Sequence, residues 1–247
     1  MSVKEKTTNT TESIEALFKA GAHYGLIRSR RHPSAKPFLY GVKNKVEIFD
    51  LEKTEEKLEE AKAFIKSKVM EGGQILFVGG KNEARQAIRS GAEKAGMPYV
   101  AGRWLGGTLT NFPEIKKRIA KLEDLTTQKE KGELGKYTKK ERLLIDREIV
   151  ILDRDFSGIT PMRTLPKVVF VIDPRREAIV VAEAHRLNIP VVAVASSDCN
   201  LLSVEYAIPG NDASVKSIEH FVNEIAKAVI EGKSAAQAAA SAPAVSA

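Results

Sequence analysis

Three short runs of this chain contain no polar residue: Ile75-Leu76-Phe77-Val78, Val168-Val169-Phe170-Val171-Ile172 and Val191-Val192-Ala193-Val194-Ala195. A strand that is apolar at every position, and not only at every second one, must be covered on both faces. Their shortness and β-branched content mark them as strands, not buried helix segments. We read the strands over Gln74–Val78, Lys167–Ile172 and Pro190–Ala195, with shorter ones at Tyr99–Ala101 and Tyr206–Ile208. Segments of helical period lie between them. Ala84, Ala87, Ile88 and Ala95 fall in phase after Val78, and Val180, Ala184 and Leu187 do so after Ile172. Strands alternating with helices predict an α/β fold, a parallel sheet in a three-layer α/β/α sandwich with right-handed crossovers.

The rest of the chain fits around that sheet. A short helix is expected over about Glu12–Ala20, stopped by Gly21. Phe38–Tyr40 and Val46–Phe49 read as two short strands around Gly41, and Asp50 as the N-cap of a long helix with Leu58, Ala61, Ile65 and Val69 on one face. A final helix is expected over about Ala213–Ile230. Residues 111–155 break the alternation. Asn111-Phe112-Pro113 opens a helix whose stripe is Ile115, Ile119 and Leu122, and a polar turn over Thr126–Thr138 leads to a second helix from Lys139. There Leu144 and Ile151 form one line, with Ile145, Ile149 and Leu152 beside it. Two one-sided helices joined by a polar turn predict an inserted antiparallel, coiled-coil-like hairpin that must lean on something to bury its stripe. The sheet domain therefore occupies residues 12–110 and 156–231. The polar N-terminus, 1–11, and the Ala/Ser tail, 232–247, are expected to be disordered.

Of 247 residues, 39 are Lys or Arg and 32 are Asp or Glu, a net charge of +7. That excess is local. Between Arg28 and Lys45 stand Arg28, Arg30, Arg31, Lys36, Lys43 and Lys45, with His32 among them and no acid. Solvated charge runs normally mix signs, and Pro33, Pro37 and Gly41 rule out an amphipathic helix here. An acid-free basic loop or ribbon points to phosphate binding. An acidic membrane surface is the competing partner, but no strongly amphipathic basic helix adjoins the run. The longest apolar runs are strand-sized, and no apolar stretch opens the chain, so a cytoplasmic protein is expected. The single cysteine, Cys199, can form neither an internal disulfide nor a Cys-based zinc site.

Catalytic constellations are lacking. The four histidines, His23, His32, His185 and His220, form no H-E-x-x-H motif, and no G-x-S-x-G occurs. Asp153, Asp155, Asp173, Asp198 and Asp212 read as caps, with no metal or cofactor expected. Gly79-Gly80-Lys81 sits where a nucleotide loop would sit, at a strand end before a helix, yet matches neither glycine-rich phosphate motif. A tight turn is the plainer reading. An enzyme of doubly wound fold using a nucleotide or sugar phosphate at this turn is the alternative function, resting on fold analogy alone. Trp104, between Arg103 and Gly106-Gly107, is expected to plug the junction of sheet and hairpin.

Several stretches in order resemble one family. They are Ala20-Gly21-Ala22-His23-Tyr24-Gly25, Lys36-Pro37-Phe38-Leu39-Tyr40-Gly41, Asn44-Lys45-Val46, Leu76-Phe77-Val78-Gly79, Arg103-Trp104-Leu105-Gly106-Gly107-Thr108-Leu109-Thr110-Asn111-Phe112, Thr138-Lys139-Lys140-Glu141, Leu165-Pro166, Phe170-Val171-Ile172-Asp173 and Pro209-Gly210-Asn211-Asp212-Ala213. Together they resemble the family of the second protein of the bacterial small ribosomal subunit, over about residues 14–230. The resemblance implies a flavodoxin-like fold and a structural, non-catalytic role. It implies docking on small-subunit ribosomal RNA between head and body, with neighbouring small-subunit proteins as partners, among them the first small-subunit protein in bacteria that use it. Membranes and small-molecule substrates are not implied. RNA contacts are then expected from Arg28, Arg30, Arg31, His32, Lys36, Lys43 and Lys45, with a second set of Lys81, Arg103, Lys116, Lys117 and Lys121. The chain departs from the family at Leu26, at Arg31-His32-Pro33 and at Ser196-Ser197-Asp198-Cys199-Asn200-Leu201, so no ligand contact is carried over to that last loop.

Overall fold

The computed structural model describes the backbone of residues 3–241 and the side chains of residues 12–238. Helix α1 (Val3–Ala20) leads into a three-stranded antiparallel sheet of β1 (Tyr24–Ile27), β2 (Leu39–Lys43) and β3 (Val46–Phe49), in the order β1-β3-β2. Helix α2 (Leu51–Met70) follows. Then come β4 (Ile75–Val78), α3 (Asn82–Ala95), β5 (Tyr99–Val100), α4 (Phe112–Glu130), α5 (Lys139–Phe156), β6 (Val168–Ile172), α6 (Ala178–Arg186), β7 (Val191–Ala195), β8 (Tyr206–Pro209) and α7 (Val215–Ser241).

The second sheet is the expected parallel one, in the order β5-β4-β6-β7-β8. Its strands, counted along the chain, stand 2-1-3-4-5, the flavodoxin-like arrangement. Pairing is in register, with Ile75 opposite Val168, Val169 opposite Val191 and Val192 opposite Tyr206. Strands β4, β6 and β7 are buried at every position. Their alternate residues enter two separate cores. Ile75, Phe77, Val168, Phe170, Ile172, Val192 and Val194 pack against α1, α2, α3 and α7. Leu76, Val78, Val169, Val171, Val191 and Ala193 pack against α6 and the root of the α4–α5 hairpin, through Phe112, Ile115, Leu152 and Phe156. The hairpin thus leans on the sheet it interrupts. Its outer line, Leu144 and Ile151, remains exposed.

Four features differ from the sequence reading. The turn between the basic strands falls at Asn44–Lys45, both left-handed (φ 50° and 66°), and Gly41 lies inside β2. Two left-handed residues make the tight hairpin turn whose twist matches the strands, and Asn tolerates that conformation. Strand β1 was not expected. Helices α1 and α7 run into both segments read as unstructured; in α7 the Ala-rich stretch continues a formed helix and needs no new nucleus. Residues 1–2 and 242–247 of those segments lie outside the described residues. Asn111 stands at the N-cap of α4 but caps nothing with its side chain, whereas Thr138 and Glu141 form a full capping box on α5.

The loop that leads into α4 is instead held from the sheet domain. Glu183, buried on α6, accepts hydrogen bonds from Trp104 Nε1 (3.1 Å), Gly107 N (2.7 Å), Leu109 N (3.0 Å), and Thr110 N and Oγ1 (both 3.1 Å). Trp104 is buried as the expected plug. Burial opposes ionisation of Glu183, but the bonds from Gly107, Thr110, Trp104 and Leu109 outweigh it and hold the pKa below the ordinary carboxylate value. Glu183→Gln replaces one acceptor oxygen with an amide donor that faces N–H groups. It should cost about 2–3 kcal/mol in chemical denaturation, against almost nothing for the exposed Glu219→Gln. A carboxylate with a lowered folded pKa stabilises above its unfolded pKa and loses that contribution as pH falls through the folded value. The gap between wild type and Glu183→Gln should therefore be full at neutral pH and close on acidification below the carboxylate range. A gap that persisted unchanged there would refute the charged assignment.

Candidate nucleic-acid interface

The basic run is a short, strapped arm. Ile27 passes into a 3-10 turn at Arg28–Arg30, and a second such turn over Pro33–Phe38 feeds β2. Backbone bonds fasten it at both ends: Arg28 N donates to Lys45 O (3.1 Å) and His32 N to Ser197 O (2.8 Å). Side chains add to these. Leu26 N donates to Ser197 Oγ (3.0 Å), and Leu201 N to Ser34 Oγ (3.0 Å). The loop after β7 therefore holds the arm against the carboxyl end of the parallel sheet. Proline-restricted turns and these bonds fix its cations without a helix.

Within the arm the cations divide into two kinds. Arg28, Arg30, Lys36, Lys43 and Lys45 are exposed and carry no carboxylate partner among the described residues. Arg31 is half-buried and pairs with Glu47 (3.3 Å), whose side chain is fully buried on β3. A buried carboxylate needs its partner, so Arg31 is first a structural strut. His32 is half-buried, with Nδ1 2.7 Å from Ser34 Oγ. Arg30, Arg31 and His32 form one wall of a cleft of about 490 Å³, and Pro174, Arg175, Asp198 and Asn200 form the other. Arg175, exposed and paired with Asp198 (2.6 Å), is a basic residue the sequence reading missed. Its signal was its place, just past the end of a buried strand.

Lys81 does not join this surface. Its ammonium lies 2.7 Å from Asp173 and 3.0 Å from Asp212, with the side chain 15% exposed. Burial works against its charge, but Asp212 and Asp173 prevail and raise its pKa. At Asp212 burial wins and pushes the carboxyl up to about 6. Cys199, with its thiol likewise pushed up by burial, lies beside the same two carboxylates. The turn before Lys81 is occupied too. Gly80 N donates to Glu177 Oε1 (3.2 Å), and a Cβ on Gly80 would come within 2.4 Å of that oxygen. The crevice between β4 and β6, where an open α/β sheet binds nucleotides, is filled by the protein's own Glu177, Lys81, Asp173 and Asp212. This geometry gives Lys81 two internal carboxylate partners and gives the nucleotide-enzyme reading no support.

The second set of expected contacts is dispersed. Lys116 lies over the Phe112 ring (5.0 Å to its centre), and Lys117 pairs with Glu114 (2.6 Å). Lys121 pairs with Glu148, tying α4 to α5. All three are exposed, but Lys117 and Lys121 are already neutralised. Arg103 stands apart from them, exposed in a separate cleft at the hairpin root.

The comparisons with known proteins agree with one another. A family model described as Ribosomal protein S2 matches residues 17–232. The protein named "Small ribosomal subunit protein uS2" of Desulfatibacillum aliphaticivorans is 44% identical over 221 residues, 90% of this chain and 75% of its own length. The protein of the same name from Coprothermobacter proteolyticus is 41% identical over 225 residues, 91% of this chain and 84% of its own. The ordered motifs, the 2-1-3-4-5 sheet with its inserted hairpin and these matches converge: the chain belongs to the ribosomal protein S2 family, a structural family without enzymatic activity.

Proposed function

We propose that this protein is a structural constituent of the small ribosomal subunit, docking on small-subunit ribosomal RNA between head and body. One observation carries the RNA-binding reading: Arg28, Arg30, Lys36, Lys43 and Lys45 project from a fastened arm with no carboxylate partner among the described residues. Holding five cations together costs self-repulsion, and a polyanion relieves it. Phosphodiesters accept from arginine forks and lysine ammonium groups alike. The names of the relatives supply the assembly in which that polyanion is found. Neighbouring small-subunit proteins complete its surroundings in the cytoplasmic ribosome, with the first small-subunit protein among them in bacteria that use it. No described helix is long and apolar enough to cross a membrane.

The arm's division into free cations and a strut gives an internal control. Each phosphate contact adds about 0.7–0.9 to the log–log salt slope of RNA binding. Arg28→Ala with Arg30→Ala should lower that slope by about 1.5 in titrations against small-subunit ribosomal RNA, with the thermal midpoint unmoved. Arg31→Ala should instead lower the midpoint, because Glu47 loses its partner. In sucrose gradients the tagged wild-type chain should migrate with small subunits, and the Arg28→Ala, Arg30→Ala, Lys36→Ala variant should be displaced toward free protein. Undiminished incorporation of that variant would exclude the arm as the docking element.

A further inference from the structure

A second polar cleft lies about the root of the hairpin, on elements separate from the arm. It encloses about 320 Å³ and is walled by Arg85 and Arg89 of α3, Tyr99 of β5, Arg103 of the following loop, and Asp153 and Asp155 near the end of α5. Arg85 and Arg89 are four residues apart on one helix face. Part of this charge is spent internally. Arg89 pairs with Glu93 (2.9 Å), and Arg154 makes two bonds to Asp155 (2.8 and 3.1 Å). Arg85, Arg103 and Asp153 keep exposed side chains with no ion-pair partner among the described residues. The walls are held in place. Gly158, at the hairpin root, packs so close to β5 that a Cβ there would meet Tyr99 O at 2.3 Å.

We infer that this cleft seats one unpaired nucleotide of RNA, with its phosphate on Arg85 and Arg103 and the exocyclic amino group of its base on Asp153. The inference rests on the RNA-binding function proposed above and adds a subsite that the basic arm does not form. The volume is that of a small-molecule pocket, enough for a nucleotide and far too small for a duplex. Unpaired RNA can splay a base out of the stack and present its Watson–Crick edge together with a phosphate. Two free guanidinium groups suit the phosphate. The Asp153 carboxylate, within electrostatic reach of Arg89 and Tyr99 but ion-paired to neither, decides the base: it accepts from an amino group such as cytosine N4 and repels the carbonyl oxygen that uracil presents at the same position. A purely cationic cleft would treat all bases alike, and Asp153 makes this one selective.

The test uses the full-length chain with fluorescein-labelled hexacytidylate and hexauridylate, titrated by anisotropy at low salt. Wild type should bind hexacytidylate about fivefold more tightly, and Asp153→Ala should remove that preference. Arg85→Ala and Arg103→Ala should each weaken hexacytidylate binding by about tenfold. Arg28→Ala with Arg30→Ala should weaken both oligomers equally and keep their ratio. Equal wild-type affinities, or a preference that survives Asp153→Ala, would overturn the subsite. So would full binding by Arg85→Ala and Arg103→Ala alongside loss in the arm variant, an outcome that leaves the arm's function standing. If the arm variant and the cleft variants all bind as wild type does, the arm reading falls as well. The substituted side chains are exposed, and an unmoved thermal midpoint for each variant ties a change to binding.

Discussion

Glu183 joins the two parts of this protein with a single carboxylate. Five donors from the segment Trp104–Thr110 converge on it. Four of them are an indole N–H or backbone N–H groups of the loop just before α4. With the loop entering α4 fixed there, Phe112 and Ile115 come down on the second face of the sheet. Without that cover, Val78, Val169 and Val171 would face water, and an all-apolar parallel strand has no stable exposed form. The hairpin is therefore both an appendage and the lid of a core, and its direction is set where it leaves the sheet.

Charge is allocated by the same geometry. The excess of +7 gives no indication of which cations are available. Lys81 is consumed by Asp173 and Asp212, Arg31 by Glu47, and Lys121 by Glu148. Among the described residues, exposed cations without an ion-pair partner remain on the arm, at the hairpin root and along the hairpin itself, where Arg118, Lys139, Lys140, Arg142 and Arg147 stand. Surface pairs such as Lys117 with Glu114 contribute little to stability, but they do withdraw positive charge from the field a polyanion would meet. An inventory of basic residues is therefore an upper bound on a phosphate-binding surface.

Most of the fold was legible because its strands are local facts. Ile75–Val78 and Val168–Ile172 can be nothing but doubly buried strands, and the helical phases between them fix the connections. Strand β1 was not legible: Tyr24-Gly25-Leu26-Ile27 has no alternation, and it exists by pairing with β3 some twenty residues later. Glu183 was not legible either. In the sequence it is a glutamate in a helix, and its burial depends on loop donors more than seventy residues upstream. Of the proposed contacts, the arm could be found because its cations are contiguous and free of acids. Arg85 and Asp153 could not, because the chain brings them together from α3 and α5, on either side of most of the hairpin.

The crevice between β4 and β6 shows why a nucleotide-type fold serves here as a scaffold. In an open parallel sheet the turn after the first strand offers N–H groups and a helix terminus to a phosphate. Here Glu177 takes the Gly80 N–H, and the lysine that follows is turned inward onto Asp173 and Asp212. The chain's own charges thus occupy the crevice at the carboxyl ends of the strands, and the arm is fastened beside it. Pro174 and Asn200, from the loops beyond β6 and β7, stand opposite His32, and Ser197 holds the arm by two bonds. The fold's usual ligand position has become the foundation for the surface beside it. The arm proposed to meet RNA is thus held by backbone straps and by the buried Arg31–Glu47 pair.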